Sequence, residues 1–160
     1  MGSNEKGDNL LDPVKVGVLG LGTVGGGTVN LLERNRDEIT RRAGRPIDVV
    51  RAAARHPDRP RTCSTENIQL DYDAYAVVDD PSIEIVVELI GGETLAKELI
   101  LRAIDNGKHV VTANKALIAL HGNEIFARAR EKGVTIGFEA AVAGGIPIIK
   151  AVREGLVGNR

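Results

Sequence analysis

Tryptophan is absent, and only Tyr72, Tyr75, Phe126 and Phe138 carry aromatic rings among 160 residues. So few rings cannot furnish the stacking platform on which single-stranded nucleic acid is held. The same scarcity predicts a core of Val, Ile, Leu and Ala, the composition of an α/β domain. Cys63 is the single cysteine, so no internal disulfide can form, and a reducing compartment, the cytoplasm, is the expected location. No run of ~18 apolar residues is available to span a bilayer, and the N-terminus lacks the basic-then-apolar order of a secretory signal. Neither sign of charge dominates: 21 basic side chains against 22 acidic ones give a formal net charge of −1, which excludes a general polyanion binder. Neither nucleic acid nor membrane is therefore an expected partner. A fixed-period repeat is also missing, which excludes a solenoid.

What is present fits one domain, large enough to bury a core without help from disulfides or metal. Residues 1–12 read as a flexible leader ahead of a domain spanning 13–160. The order of elements begins with an apolar strand, Val14–Leu19, followed by a helix with the stripe Val24, Thr28, Leu31, Leu32 and Ile39 that fades near Ala43 and Gly44. Pro46 introduces a second strand over 47–54, and a basic, proline-containing connection runs over 55–67. Residues 74–80 suit either a short helix or an edge element. A buried strand over 83–90 ends at Gly91 and Gly92, and a helix packs Leu95, Leu99, Ile100, Ala103 and Ile104 before Gly107. His109–Thr112 is a further strand, Ile125, Phe126 and Ala129 mark another helical stripe ending at Gly133, and 134–138 is the next strand. Gly144, Gly145, Ile146 and Pro147 then turn into the apolar segment 148–152. This alternation predicts a Rossmann-like α/β fold: an open, mostly parallel sheet with helices on both faces.

The chemistry starts at Gly20-Leu21-Gly22-Thr23-Val24-Gly25, between the first strand and the first helix. Gly20 permits the tight turn, Gly22 leaves room for a pyrophosphate, and Gly25 lets the helix pack on the sheet, while backbone amides at the helix start can bond phosphate oxygens. A glycine turn with only a structural role is the competing explanation, but the strand-before, helix-after placement favours dinucleotide binding. No acid stands at the end of the second strand. Arg55 occupies that region with His56, Arg59 and Arg61 nearby, and a guanidinium suits a 2′-phosphate, so NADP is preferred over NAD. The wider stretch 34–61 holds nine arginines against Asp37, Glu38, Asp48 and Asp58, a formal +5 that equally suits a solvated helix surface.

The most distinctive cluster is His109-Val110-Val111-Thr112-Ala113-Asn114-Lys115. Asn114 and Lys115 leave a strand at its carboxyl end, the ligand-binding side of such sheets. From the residues alone, three roles for Lys115 stand level: proton transfer, carboxylate orientation as a cation, and a plain surface lysine. His109 reads as a packed, hydrogen-bonded histidine rather than a base. Glu139 could orient substrate or hold a hard cation with nearby carbonyls, yet a salt bridge or an exposed carboxylate is the favoured reading without further information. Gly91-Gly92 is a turn that can approach a cofactor.

Taken together, Gly20 to Gly25, Glu88-Leu89-Ile90-Gly91-Gly92, Gly107-Lys108-His109-Val110-Val111-Thr112-Ala113-Asn114-Lys115-Ala116-Leu117, and Phe138-Glu139-Ala140-Ala141-Val142-Ala143-Gly144-Gly145-Ile146-Pro147 resemble the N-terminal nucleotide-binding part of homoserine dehydrogenase. The resemblance covers residues 14–160. It implies an enzyme of threonine, methionine and isoleucine biosynthesis that interconverts L-aspartate 4-semialdehyde and L-homoserine with NADPH or NADH. It implies that Lys115 is an active-site lysine and that Thr112, Ala113 and Asn114 shape the nicotinamide site. It further implies that Gly20, Leu21, Gly22, Thr23, Val24, Gly25, Arg55 and Gly91 bind the dinucleotide. A monovalent cation, sodium, would be held by Glu139 and the backbone of Val142, Gly144 and Ile146. In that family a second catalytic lysine, acidic substrate-binding residues and much of the dimer interface lie on a later domain, so this stretch alone is expected to be catalytically incomplete and the full-length protein a homodimer. Another nicotinamide-dependent dehydrogenase of semialdehydes or hydroxy acids, and a non-enzymatic nucleotide-sensing module, are the competing readings.

Overall fold

The computed structural model describes residues 12–56, 65–138 and 146–157. Six strands form one sheet, in the order β3-β2-β1-β4-β5-β6, with every adjacent pair parallel. They are β1 (Val14–Leu19), β2 (Ile47–Ala53), β3 (Gln69–Asp71), β4 (Ile85–Glu88), β5 (His109–Thr112) and β6 (Ile136–Phe138). The helices are α1 (Thr23–Arg34), α2 (Arg36–Ala43), α3 (Ala74–Val78), α4 (Thr94–Asp105), α5 (Lys115–Lys132) and α6 (Ile146–Ala151), followed by a π-helical turn, Val152–Val157.

Both faces of the sheet are covered, as continuous apolar strands require. On one face Val14, Val16 and Val18 pack with Val29 and Leu32 of α1, Ile39 of α2, and Ile148 and Val152 near the end of the chain. On the other, Val86 and Val110 meet Val77 of α3, Leu99, Ile100 and Ile104 of α4, and Leu117 and Ile125 of α5. The buried apolar side chains among the described residues are all Val, Ile, Leu or Ala. Gly17 lets α3 close on β1, since a Cβ there would lie 2.5 Å from Val77 Cγ1 and 2.9 Å from Ile83 Cδ1.

Several sequence expectations need correction. The first helical stripe is two helices, because the backbone departs from helical geometry at Asn35 (φ −105°, ψ 23°) before α2 starts. This break separates Leu32 from Ile39, both of which are buried in the same cluster. The segment 74–80, open between helix and edge element, holds the short helix α3 over Ala74–Val78, capped by Asp73, while the outer strand is Gln69–Asp71, too short to show an apolar pattern. The strand expected over 83–90 pairs only over Ile85–Glu88, because the amides of Ile90 and Gly91 turn back to the Glu88 carboxylate. Phe126 and Leu95 fall on the expected packing stripes but are 37% and 50% exposed. At 100° per residue the buried pair Ile125 and Ala129 shares a face from which Phe126 is rotated.

At the amino end of the strands, side chains close the structure. Lys108 is buried, and its Nζ donates to the carbonyl oxygens of Asp80 (2.6 Å) and Ile83 (2.8 Å). Burial lowers the pKa of this ammonium, against the pull of Asp80 and Asp79. Arg102 makes two 2.8 Å bonds to Asp79 and lies over the Tyr75 ring. Farther up the sheet, Arg51 of β2 bridges Asp71, the last residue of β3, at 2.6 Å and reaches Asp80 at 3.1 Å. His109 is packed and hydrogen-bonded, as expected: the Thr135 amide donates to its Nδ1 at 3.0 Å. Burial lowers its pKa, partly opposed by Glu84. Gly155 of the final turn sits against the ring so closely that a Cβ would lie 2.3 Å from His109 Cε1.

Candidate dinucleotide site

The strand order reverses direction beside β1: the crossover from β1 to β2 carries α1 and α2 on one face of the sheet, and the return from β3 to β4 carries α3 on the other. Ligands in such sheets bind at the carboxyl ends of the strands flanking that point. A cleft of about 710 Å³ lies there, lined by Gly20, Leu21 and Gly22 after β1, Ala54, Arg55 and His56 after β2, and residues 89–95 after β4.

Each motif glycine has a separate reason. Gly20 adopts φ +96°, a conformation that favours glycine, so the chain can turn while the amides of Gly20 and Leu21 both donate to Ala53 O. Gly25 lies under the turn, where a Cβ would sit 2.3 Å from Gly20 O, so α1 can approach only without a side chain. Gly22 has the opposite environment, with no atom within 4 Å of a Cβ built there. It caps α1 without a side-chain hydrogen bond, and no acid occupies the first turn. With no side-chain cap among the described residues, the helix start presents its first amides and a positive dipole end, a cradle suited to a pyrophosphate.

Arg55 is exposed at the far rim beyond β2, and Tyr72 and Leu95 add exposed apolar surface to the same cleft. Gly20, Leu21, Gly22, Arg55 and Gly91 therefore share one cleft, with Gly25 buttressing it from behind. The backbone of Thr23 and Val24 starts α1. Thr112, Ala113, Asn114 and Lys115 stand one strand further along. Thr112 is fully buried, Lys115 is the exposed first residue of α5, and Asn114 caps that helix by accepting from the Leu117 amide at 3.1 Å. Asn114 Nδ2 also donates to Gly92 O at 2.6 Å, bringing this junction to the edge of the cleft.

Glu88 is a functional residue that motif reasoning alone does not reveal. It ends β4 fully buried, and it accepts from the amides of Ile90 and Gly91 and from the Thr112 hydroxyl. An acid within the apolar run 83–90, which also holds Glu84, was the available signal, because burying a carboxylate is unfavourable unless donors meet it. Glu139, Val142 and Gly144 lie outside the described residues, and Ile146 is known only as the backbone start of α6. Among the described residues no cluster of three or more His, Cys, Asp or Glu could hold a metal ion. No helix among them is long and apolar enough to cross a membrane.

Residues 20–139 match the family model described as "Homoserine dehydrogenase, NAD binding domain". The chain belongs to the homoserine dehydrogenase family. Homoserine dehydrogenase of Pseudomonas aeruginosa is 67% identical over 150 residues, an alignment covering 94% of this chain and 34% of that protein. The crystal structure of a homoserine dehydrogenase from Thiobacillus denitrificans superposes with a TM-score of 0.76 at 61% identity, covering 92% of this chain and 34% of the other. A crystal structure of S. aureus homoserine dehydrogenase gives 0.76 at 36% identity, covering 84% and 34%. The chain thus spans about a third of the length of these homoserine dehydrogenases. Within this family, its matched region is the NAD(P)-binding domain.

Proposed function

We propose that this chain is the NADPH-binding part of a cytoplasmic, homodimeric enzyme that interconverts L-aspartate 4-semialdehyde and L-homoserine. The observation that carries the reading is the sharing of one cleft by Gly20, Gly22, Gly91 and Arg55, with an open cradle at Gly22. When bound, the nicotinamide supplies hydride exchange with the substrate carbonyl carbon. The chain's own residues bind and orient. The amides at the start of α1 take the pyrophosphate, and Arg55 takes the 2′-phosphate as a charge-assisted pair. Lys115, exposed beside the cleft at the start of α5, holds the reacting oxygen or passes it a proton.

The remaining proton-handling and substrate-binding groups belong to a further domain of the whole protein, following the domain at 13–160. Glu139, with the backbone oxygens of Val142, Gly144 and Ile146, would hold a sodium ion that braces the nucleotide and catalytic regions, a reading that the sequence motif supports.

Calorimetry with NADPH and NADH tests the cofactor reading. NADPH should bind at least ~10-fold more tightly, and Arg55→Ala should abolish that difference. Equal affinities in the unaltered chain, or an undiminished preference in the variant, would refute the phosphate role. In the full-length protein, Lys115→Ala should lower kcat while the melting temperature stays within ~2 °C. An intact full-length protein that forms no homoserine would overturn the enzymatic assignment.

A further inference from the structure

We infer that Glu88 is a positioning residue that ties the wall of the cleft to Lys115, so that a dinucleotide settling against residues 90–92 changes the order of the Lys115 turn. This rests on the dinucleotide reading above.

The parallel ladder already holds β4 beside β5, pairing Ile85 with His109 and Glu88 with Thr112. An apolar side chain would satisfy that packing, so a fully buried carboxylate needs another explanation. Its donors supply one. Oε2 receives the amides of Ile90 and Gly91, both at 3.0 Å, and Oε1 receives the Thr112 hydroxyl at 2.5 Å. All three partners are donors, which matches the acceptor-only chemistry of a carboxylate. Two come from the loop after β4 and one from the end of β5, so a single side chain gathers two loops.

The linkage closes into a ring. Thr112 Oγ1 donates to Glu88 and accepts from the Asn114 amide at 3.0 Å. Asn114 Nδ2 returns to Gly92 O at 2.6 Å, while its Oδ1 caps α5 through the Leu117 amide. Gly91 and Gly92 both take φ +75°, bending the loop so that its amides face the carboxylate. The residues of that loop, Ile90, Gly91 and Gly92, line the cleft. Lys115 follows Asn114 directly, with its own amide folded onto Ala113 O at 3.1 Å. Within such a ring, displacement of the cleft wall reaches the Lys115 turn through Glu88 and Thr112, and neither loop settles independently.

Hydrogen exchange on the chain, with and without NADPH, tests the linkage. In the unaltered chain, NADPH should slow exchange both at residues 90–92 and at 114–118. Thr112→Val should speed exchange at 114–118 about tenfold without dinucleotide, the scale of one lost hydrogen bond. Added NADPH should then protect only 90–92, and Thr112→Ser should restore protection at both places. The proposal is overturned if Thr112→Val still shows protection at both, or if Thr112→Ser melts normally yet does not restore it. A chain that shows no NADPH binding by calorimetry would refute the dinucleotide reading instead. The ring would then stand or fall on the dinucleotide-free comparison, where equal exchange in Thr112→Val and the unaltered chain refutes it.

Discussion

The two ends of this sheet solve the burial of charge in opposite senses. At the carboxyl end a buried carboxylate, Glu88, is met by amide and hydroxyl donors. At the amino end a buried ammonium, Lys108, is met by two carbonyl acceptors. What surrounds each charge differs more than the charge itself. Around Lys108, ion pairs such as Arg102–Asp79 and Arg51–Asp80 saturate the loops. Around Glu88 the loop groups are tied to one another, but the neighbouring start of α1 carries no side-chain cap and offers its first amides to a ligand. One end is finished by side chains, and the other is left for something else to finish.

Substitutions can break that contrast or sharpen it. The largest effect is expected from Gly25→Ala, whose added Cβ meets Gly20 O at 2.3 Å. It should cost about 3 kcal/mol by chemical denaturation and abolish dinucleotide binding, since backbone rather than a flexible side chain must move. Next comes Lys108→Met, which keeps the apolar stem but strands the carbonyls of Asp80 and Ile83. It should cost about 2 kcal/mol and leave NADPH affinity within ~2-fold, because the amino end has no part in binding. If affinity fell with stability, the two ends would not be separable.

Gly22→Ala is the complementary case, with open space where the methyl group goes. Stability should stay within ~0.5 kcal/mol, while NADPH affinity falls at least ~10-fold because the methyl occupies the cradle. Unchanged affinity would mean that the pyrophosphate lies elsewhere.

The smallest expected effect is a slope. Burial holds the folded-state pKa of His109 below its ordinary 6.5. The unfolded chain therefore binds the proton more readily, and stability is fully present above about pH 6.5. It should decline as pH falls from there toward the lowered folded value, with no further loss from this group below that value. His109→Asn can still accept from the Thr135 amide and should flatten that part of the pH–melting curve; an unchanged slope would assign it to other groups.

The sequence was most legible where one physical cause dominates. The strands β1, β4 and β5 stand out because both faces are buried and polar alternation disappears. The cleft was readable from Gly20, Gly22 and Arg55 because turn geometry and phosphate chemistry leave local signatures. Less was legible where tertiary partners decide. Nothing local marks Gln69–Asp71 as a strand, since its pairing with β2 is what defines it. Leu95 fits a packing stripe, yet it lies in the first turn of α4, where that face opens on the cleft. Glu88 was visible as an acid in an apolar run, but its donors come from residues 90, 91 and 112 and become apparent only when the loops fold back.

The final turn has a consequence for how the molecule can be observed. Gly155 lies directly against the His109 ring, whose Nδ1 accepts from the Thr135 amide. Packed beneath the turn, the ring is sheltered from water and resists protonation; lifting the turn would hydrate the ring and move its pKa back up. The acid titration of this one imidazole in a proton NMR spectrum is therefore a built-in gauge of whether the last segment of the chain is seated on the sheet.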